Sequence, residues 1–190
     1  FLVEHWLNTH ELTARYNLAE TDAKPFTIRE LLELTGTHVD KLLDTRISYN
    51  PTLGSDSLRE LIASFYPGST ANNVLVTTGA MEADFLLANI LVDPGDTVIV
   101  QYPAYQVLYS VAEARGANVK FWHLKASEKF QPDLDQLEKL IDNKTKLLVL
   151  NIPHNPTGAV VNEADLKTIL GWAEEKGFWV LCDEVYHDLA

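Results

Sequence analysis

Five short apolar runs, rich in valine and leucine, constrain this chain more than any other feature. They are Val74 to Thr78, Thr97 to Gln101, Asn118 to Leu124, Lys146 to Asn151 and Phe178 to Asp183. A strand buried on both faces shows such a run rather than a clean alternation of apolar and polar positions. Between the runs, Leu134, Leu137, Leu140 and Ile141 recur at helical spacing, as do Leu166, Ile169, Leu170 and Ala173. Each segment therefore carries one apolar stripe that can pack on a sheet. Strand, helix and strand in repetition predict right-handed crossovers, and so a three-layer α/β/α architecture with a mainly parallel sheet. The punctuation agrees: Asn162 is placed to cap a helix, Gly177 to end it, and Asp93-Pro94-Gly95-Asp96 to turn the chain toward the next strand.

Before Asn73 the pattern changes. Phe1 to Tyr16 reads as an amphipathic helix, Asn17 to Pro25 as irregular, and Thr27 to Leu34 as helical, while Leu58, Leu61, Ile62 and Phe65 mark a further helix. This part holds too little apolar material for a core of its own. The expected division is an N-terminal arm with leading helices over residues 1–48 and the α/β domain over residues 49–190.

Composition narrows the partners. With 190 residues, 46% of them hydrophobic, the chain can bury one sizeable core. Its 27 acids against 15 bases leave a formal net charge of -12, which repels phosphate backbones and anionic membrane surfaces. Neither nucleic acid nor a membrane is expected as a partner. Cys182 is the one cysteine, so there is no internal disulfide framework, and a reducing, cytoplasmic setting is expected. No apolar run reaches the roughly 18 residues of a bilayer span, and Phe1 to His10 has no basic leader. A start at Phe1 and a stop at Ala190, straight after a motif-rich strand, lead us to expect further protein on both sides.

Several chemistries lack their motifs. Of the nine glycines no two are separated by a single residue, so the dinucleotide fingerprint G-x-G-x-x-G is missing. Asp183-Glu184 at the end of a strand mimics the Mg²⁺-binding strand of a P-loop ATPase, but G-x-x-x-x-G-K-[ST] is absent. The six histidines form no His-x-x-x-His pair, and Glu184 with His187 is too little for zinc, so no metal is expected.

Four other features stand in a telling order. Thr77-Thr78-Gly79-Ala80-Met81 closes one run and opens a helix, where backbone N–H groups and the helix dipole converge on an anion-sized site. Tyr102-Pro103-Ala104-Tyr105 follows the next run and places an aromatic ring at the carboxyl edge of the sheet. Asn155-Pro156-Thr157-Gly158 follows the Lys146 run, and Asp183-Glu184-Val185-Tyr186 ends the last. Singly each has a plain structural explanation: a tight turn, a core aromatic, an ordinary turn, a helix cap.

Together the set resembles the fold-type I pyridoxal-phosphate enzymes, in particular the class I/II aminotransferases, from about Tyr49 to Ala190. The resemblance is strongest over Pro153-His154-Asn155-Pro156-Thr157-Gly158 and Asp183-Glu184-Val185-Tyr186. It implies the large cofactor-binding domain of such an enzyme, incomplete at its C-terminus and without the small C-terminal domain. It also implies pyridoxal 5'-phosphate as cofactor. Asp183 would pair with the pyridine nitrogen, Asn155 and Tyr186 would hydrogen-bond the phenolic oxygen, and Tyr105 would stack on the ring. Gly79, Ala80 and Met81 match the phosphate-holding turn, although family members often carry a hydroxyl residue where Met81 stands. Tyr49, in Tyr49-Asn50-Pro51-Thr52-Leu53-Gly54, resembles the tyrosine that reaches the phosphate of a neighbouring subunit, which implies a homodimer with shared sites.

The implied reaction is transfer of an amino group between an amino acid and a 2-oxo acid. The resemblance leaves open a pyridoxal-phosphate lyase, an enzyme that cyclises or oxidises a basic amino acid, and a non-catalytic regulatory or structural relative. The family's catalytic lysine lies downstream of the strand matching Phe178 to Asp183, and no lysine here follows Asp183. The catalytic position is thus unassigned, and this stretch alone is expected to be an inactive half site. Glu20, in Asn17-Leu18-Ala19-Glu20, stands where many relatives place a glycine-containing loop near the substrate. Its carboxylate is a candidate for binding an amino or guanidino group of the substrate.

Overall fold

The computed structural model describes residues 1–19, 21 and 23–189. Four of the five apolar runs become strands: β1 (Thr97–Tyr102), β2 (Asn118–His123), β3 (Thr145–Asn151) and β4 (Trp179–Asp183). All pair in parallel, in the order β2-β1-β3-β4. Among the described residues, eight α-helices accompany them: α1 (Leu2–His10), α2 (Ile28–Thr35), α3 (Val39–Leu43), α4 (Asp56–Ala63), α5 (Ala80–Leu91), α6 (Val107–Ala114), α7 (Leu134–Leu140) and α8 (Glu163–Lys176). The described residues divide into two units, one formed by 1–19 and 78–189, the other by 21 and 23–77.

The first unit is the three-layer α/β/α sandwich. Successive strand side chains point to opposite faces, so Val98 and Val100 of β1 join Leu147 and Val149 of β3 on one face, under Val107, Leu108 and Val111 of α6 and Ala88 of α5. On the other face Ile99, Leu148 and Leu150 meet Trp122 of β2, Leu137 of α7 and Ile169 of α8. Each such side chain contributes about 1.5–3 kcal/mol relative to exposure. Trp122 is fully buried and keeps its indole N–H satisfied by donating to the Asp133 carbonyl at 3.0 Å. In α8, Ile169 and Ala173 are buried while Leu170 is exposed, a departure from the expected stripe. Residues four apart share a helix face, whereas Leu170 is turned about 100° away from Ile169. Asn162 caps α8 by accepting from the Asp165 N–H at 2.9 Å, and Gly177 ends it in the left-handed conformation, as expected.

The strand order fixes where a ligand can sit. From β1 the chain crosses outward to β2, then returns past β1 to β3 and continues to β4. The direction of winding reverses between β1 and β3, so the loops leaving their carboxyl ends diverge and open a crevice.

Outside the sheet the structure departs from the sequence reading in three further places. Val74 to Thr78 forms no strand; Val74 is extended, but its carbonyl accepts from Arg59 Nε at 3.0 Å and Val76 N–H donates to Leu53 O at 3.0 Å. A strand is defined by a ladder, and isolated bonds to a side chain and a turn do not make one. Arg59 is the buried residue of α4 together with Ala63, whereas Leu58, Leu61 and Phe65, which mark this helix in the sequence, are exposed. Helix α2 opens on a complete capping box, Thr27 with Glu30. Helix α1, read from the sequence as reaching Tyr16, ends at His10, where the Thr13 hydroxyl and N–H both take the His10 carbonyl. Among the described residues no helix is long and apolar enough to cross a membrane.

Candidate active site

Three loops leave the carboxyl edge of the sheet at the reversal point, and their first residues are polar although the strands are apolar. Gln101 near the end of β1 and Asn151 at the end of β3 are buried, and the Asn151 N–H donates to Gln101 Oε1 at 3.1 Å. Asn151 stands opposite Asp183 in the β3 to β4 register. Its side-chain amide donates to the Asp183 carbonyl at 3.0 Å, and its Oδ1 accepts from the Asn155 N–H at 2.6 Å. Asn151 thereby fixes the end of β4 and the start of the Asn155 loop together. Asn155 Nδ2 in turn donates to the Tyr186 hydroxyl at 3.4 Å.

Asp183 is only 9% exposed. One carboxylate oxygen accepts from the Val185 N–H at 3.0 Å, and the other takes no hydrogen bond from a described residue. Burial pushes this carboxyl up, and the Val185 N–H partly offsets that. Asp84 of α5, also buried, is pushed up to about 6 by burial and by the charge of Asp183. Two buried acids, the charge of one raising the proton affinity of the other, leave a local excess of negative charge, which a proton or a cationic group would relieve.

Tyr105, half-buried after β1, donates its hydroxyl to the Glu4 carboxylate of α1. Burial, that hydrogen bond and the Glu4 charge hold the phenol far above its ordinary range, with a smaller contribution from Tyr186. His154 is 2% exposed, its Nδ1 lies 2.7 Å from the Thr157 hydroxyl, and burial pushes its pKa down, so a neutral ring holds the turn over residues 154–157 that carries Asn155.

At the start of α5, Gly79 takes φ 80 and ψ 169, a conformation that only glycine adopts without strain. It turns the chain so that Ala80 and Met81 begin the helix with their backbone at its positive end. Glu82 reaches back so that its carboxylate accepts from the Thr78 N–H. Gly79, Ala80 and Met81 are exposed, as is Tyr49, which belongs to the second unit. Glu20 lies outside the described residues.

The sequence profile of the aminotransferase class I and II family matches residues 24–190. The chain belongs to that family. Tyrosine aminotransferase of Mus musculus is 37% identical over 145 residues, covering 74% of this chain and 32% of its own length. Capreomycidine synthase of Streptomyces vinaceus is 33% identical over 192 residues, covering 98% of this chain and 49% of its own. Among solved structures, a PLP-dependent aminotransferase from Streptococcus suis 89-1591 superposes with a TM-score of 0.90 at 37% identity, over 96% of this chain and 50% of that one. The chain thus spans between a third and a half of the length of these relatives.

For a member of this family the structure gathers Tyr105, Asn155, Asp183 and Tyr186 at one sheet edge. It adds residues that sequence reading passed over: Glu4, Asp84, Gln101 and Asn151. Gln101 and Asn151 carry a faint signal, each being the polar residue that closes an apolar run. Asp84 carries one too, an acid in a helix of largely apolar residues. Glu4 carries none, because its partner lies 101 residues away.

Proposed function

We propose that this crevice binds pyridoxal 5'-phosphate and, in the whole protein, serves transfer of an amino group between an amino acid and a 2-oxo acid. The observation that carries the reading is the buried Asp183 carboxylate, short of donors, at the mouth of the reversal crevice. A pyridinium N–H is the cation such an acid lacks, and a carboxylate held there keeps the ring nitrogen protonated. When bound, the cofactor supplies an electron sink for cleavage of a bond at the substrate Cα. Asn155 and Tyr186, joined at 3.4 Å, are suited to donate to the phenolic oxygen. Tyr105 offers its ring face, and the backbone of Gly79, Ala80 and Met81 offers a phosphate site.

A homodimer with shared sites belongs to the same proposal. Its support is the full exposure of Tyr49 together with the outward apolar side chains Ile28, Leu31, Leu58, Leu61 and Phe65. Glu20 is proposed to meet a basic group of the substrate. A cytoplasmic setting rests on the single thiol, Cys182, which is unpaired.

A second reading, an enzyme that cyclises or eliminates on the same pocket, draws on one observation: a relative named as a synthase matches 98% of the chain, about as much as the Streptococcus suis aminotransferase structure does at 96%.

The test is titration of pyridoxal phosphate into the protein and its Asp183→Asn variant, followed by absorbance. Tight binding that weakens by at least about tenfold in Asp183→Asn supports the site, since one charge-assisted contact to the ring nitrogen is lost. Equal binding by the two proteins overturns it. In the whole enzyme, a 2-oxo acid formed with the aminated cofactor marks amino transfer, and ammonia released with the aldehyde form retained marks elimination.

A further inference from the structure

We propose that Glu4 is a positioning residue of the cofactor pocket: helix α1 is clamped to the loop after β1, and its Glu4 carboxylate fixes the ring of Tyr105. The inference rests on the reading that Tyr105 stacks on the cofactor.

Two hydrogen bonds make the clamp. The Tyr105 hydroxyl donates to Glu4 Oε1, and the Val3 N–H donates to Gln106 Oε1 at 3.1 Å. Each joins neighbours in one segment to neighbours in another about 100 residues away, so position and twist are both set. The first amides of a helix have no intrahelical acceptor, and Phe1 provides no side-chain cap to α1. Gln106 supplies what Phe1 does not, which ties the start of the helix to this loop. The half-buried residues of α1 are Val3, Glu4 and Leu7, and the rest of the helix is exposed. The face it turns inward is therefore the face that carries Glu4.

The demand on the other side is equally specific. A half-buried phenol needs an acceptor, and an ionised one binds it roughly twice as strongly as a neutral one. Stacking requires the ring plane to be held, and a tyrosine tethered only at Cα samples other rotamers. With Glu4 in place the ring is fixed at both ends and the hydroxyl stays protonated, so Tyr105 acts as a platform and transfers no proton.

The test compares the protein with Glu4→Gln, Glu4→Ala and Tyr105→Ala, using two readouts. Without cofactor, the alkaline ionisation of Tyr105 is followed by NMR of ring-labelled tyrosine and assigned with Tyr105→Phe. It is expected to fall toward the ordinary tyrosine range in both Glu4 variants. Pyridoxal phosphate titration is expected to weaken about tenfold in Glu4→Ala and less in Glu4→Gln, whose amide oxygen still accepts. An unmoved Tyr105 ionisation overturns the clamp whatever the cofactor does. Unchanged affinity in Glu4→Ala beside weakened affinity in Tyr105→Ala overturns the positioning role and leaves the stacking reading intact. Unchanged affinity in Tyr105→Ala overturns the stacking reading, and this inference with it.

Discussion

Asn151 and Asp183 face each other across the parallel β3 and β4 register, and the Asn151 side chain donates to the Asp183 carbonyl while accepting from the Asn155 N–H. One amide therefore couples the two loops that carry the proposed cofactor contacts. Replacing it with leucine, close to it in size, leaves the Asp183 carbonyl and the Asn155 N–H without these partners in a buried place. The Asp183 carbonyl still accepts from the Ile152 N–H at 2.9 Å, so we expect Asn151→Leu to lose about 1–3 kcal/mol of stability, chiefly through the Asn155 N–H. At equal folded fraction it should also bind pyridoxal phosphate more weakly. Chemical denaturation with a parallel cofactor titration measures both; a variant as stable and as tight as the parent removes Asn151 from this role.

Asp84 gives a pH signature. Its pKa in the folded protein is about 6 against an ordinary value of 3.8, raised by burial first and by Asp183 second. Between these values the folded protein binds more protons than the unfolded chain, so the contribution of this group to stability falls as pH rises from about 4 to 7. Asp84→Asn should gain on the parent across that window, by on the order of 2 kcal/mol at pH 7. Urea unfolding of cofactor-free protein at pH 4.5 and pH 7 tests it, and a constant difference between the two proteins would refute the assignment.

Glu82 competes with an anion at the start of α5. Its carboxylate accepts from the Thr78 N–H, one of the donors at the positive end of that helix. Removing the charge in Glu82→Gln is expected to tighten inorganic phosphate and pyridoxal phosphate severalfold, in line with the 0.3–1 kcal/mol scale, roughly, of a charge at a helix end. Isothermal titration at low salt decides; weaker binding would show that Glu82 supports the anion site.

Gly54 tests the second unit. It has φ 98, and a Cβ built there would lie 2.4 Å from Val76 Cγ2. Gly54→Ala combines left-handed strain with a steric clash and is expected to cost about 3 kcal/mol. Adding Val76→Ala should recover the share due to Cγ2 and leave the conformational share together with the contact to Val76 Cβ at 2.7 Å. Thermal melts of the two variants separate them, and an equally stable Gly54→Ala would contradict the packing described.

Much of the fold was legible because its signals are local. The runs that became β1 to β4 are apolar at their centres, Asn162 and Gly177 bound α8 by capping chemistry, and the stripe of α7 has helical period. The run at Val74 misled because an extended apolar segment becomes a strand only when a neighbour offers a ladder, and that neighbour is not written in the segment. The exposed Leu58 and Leu61 of α4, with Phe65 just beyond it, misled in a similar way, since a stripe predicts a helix but not what covers it.

The candidate site divides along the same line. Tyr105, Asn155, Asp183 and Tyr186 could be named from short motifs because each ends or follows a strand and so reaches the carboxyl edge by topology, and Gly79 because it opens a helix. The sequence by itself determined the parallel sheet and the order in which these residues arrive at its rim. Only the tertiary structure decided their surroundings: that the winding reverses between β1 and β3, that Asn151 ties two loops, that Asp84 shares a buried field with Asp183, and that α1 holds Tyr105. Each of these depends on groups brought together from distant parts of the chain, and hydrogen bonding and desolvation are properties of that proximity rather than of any residue alone.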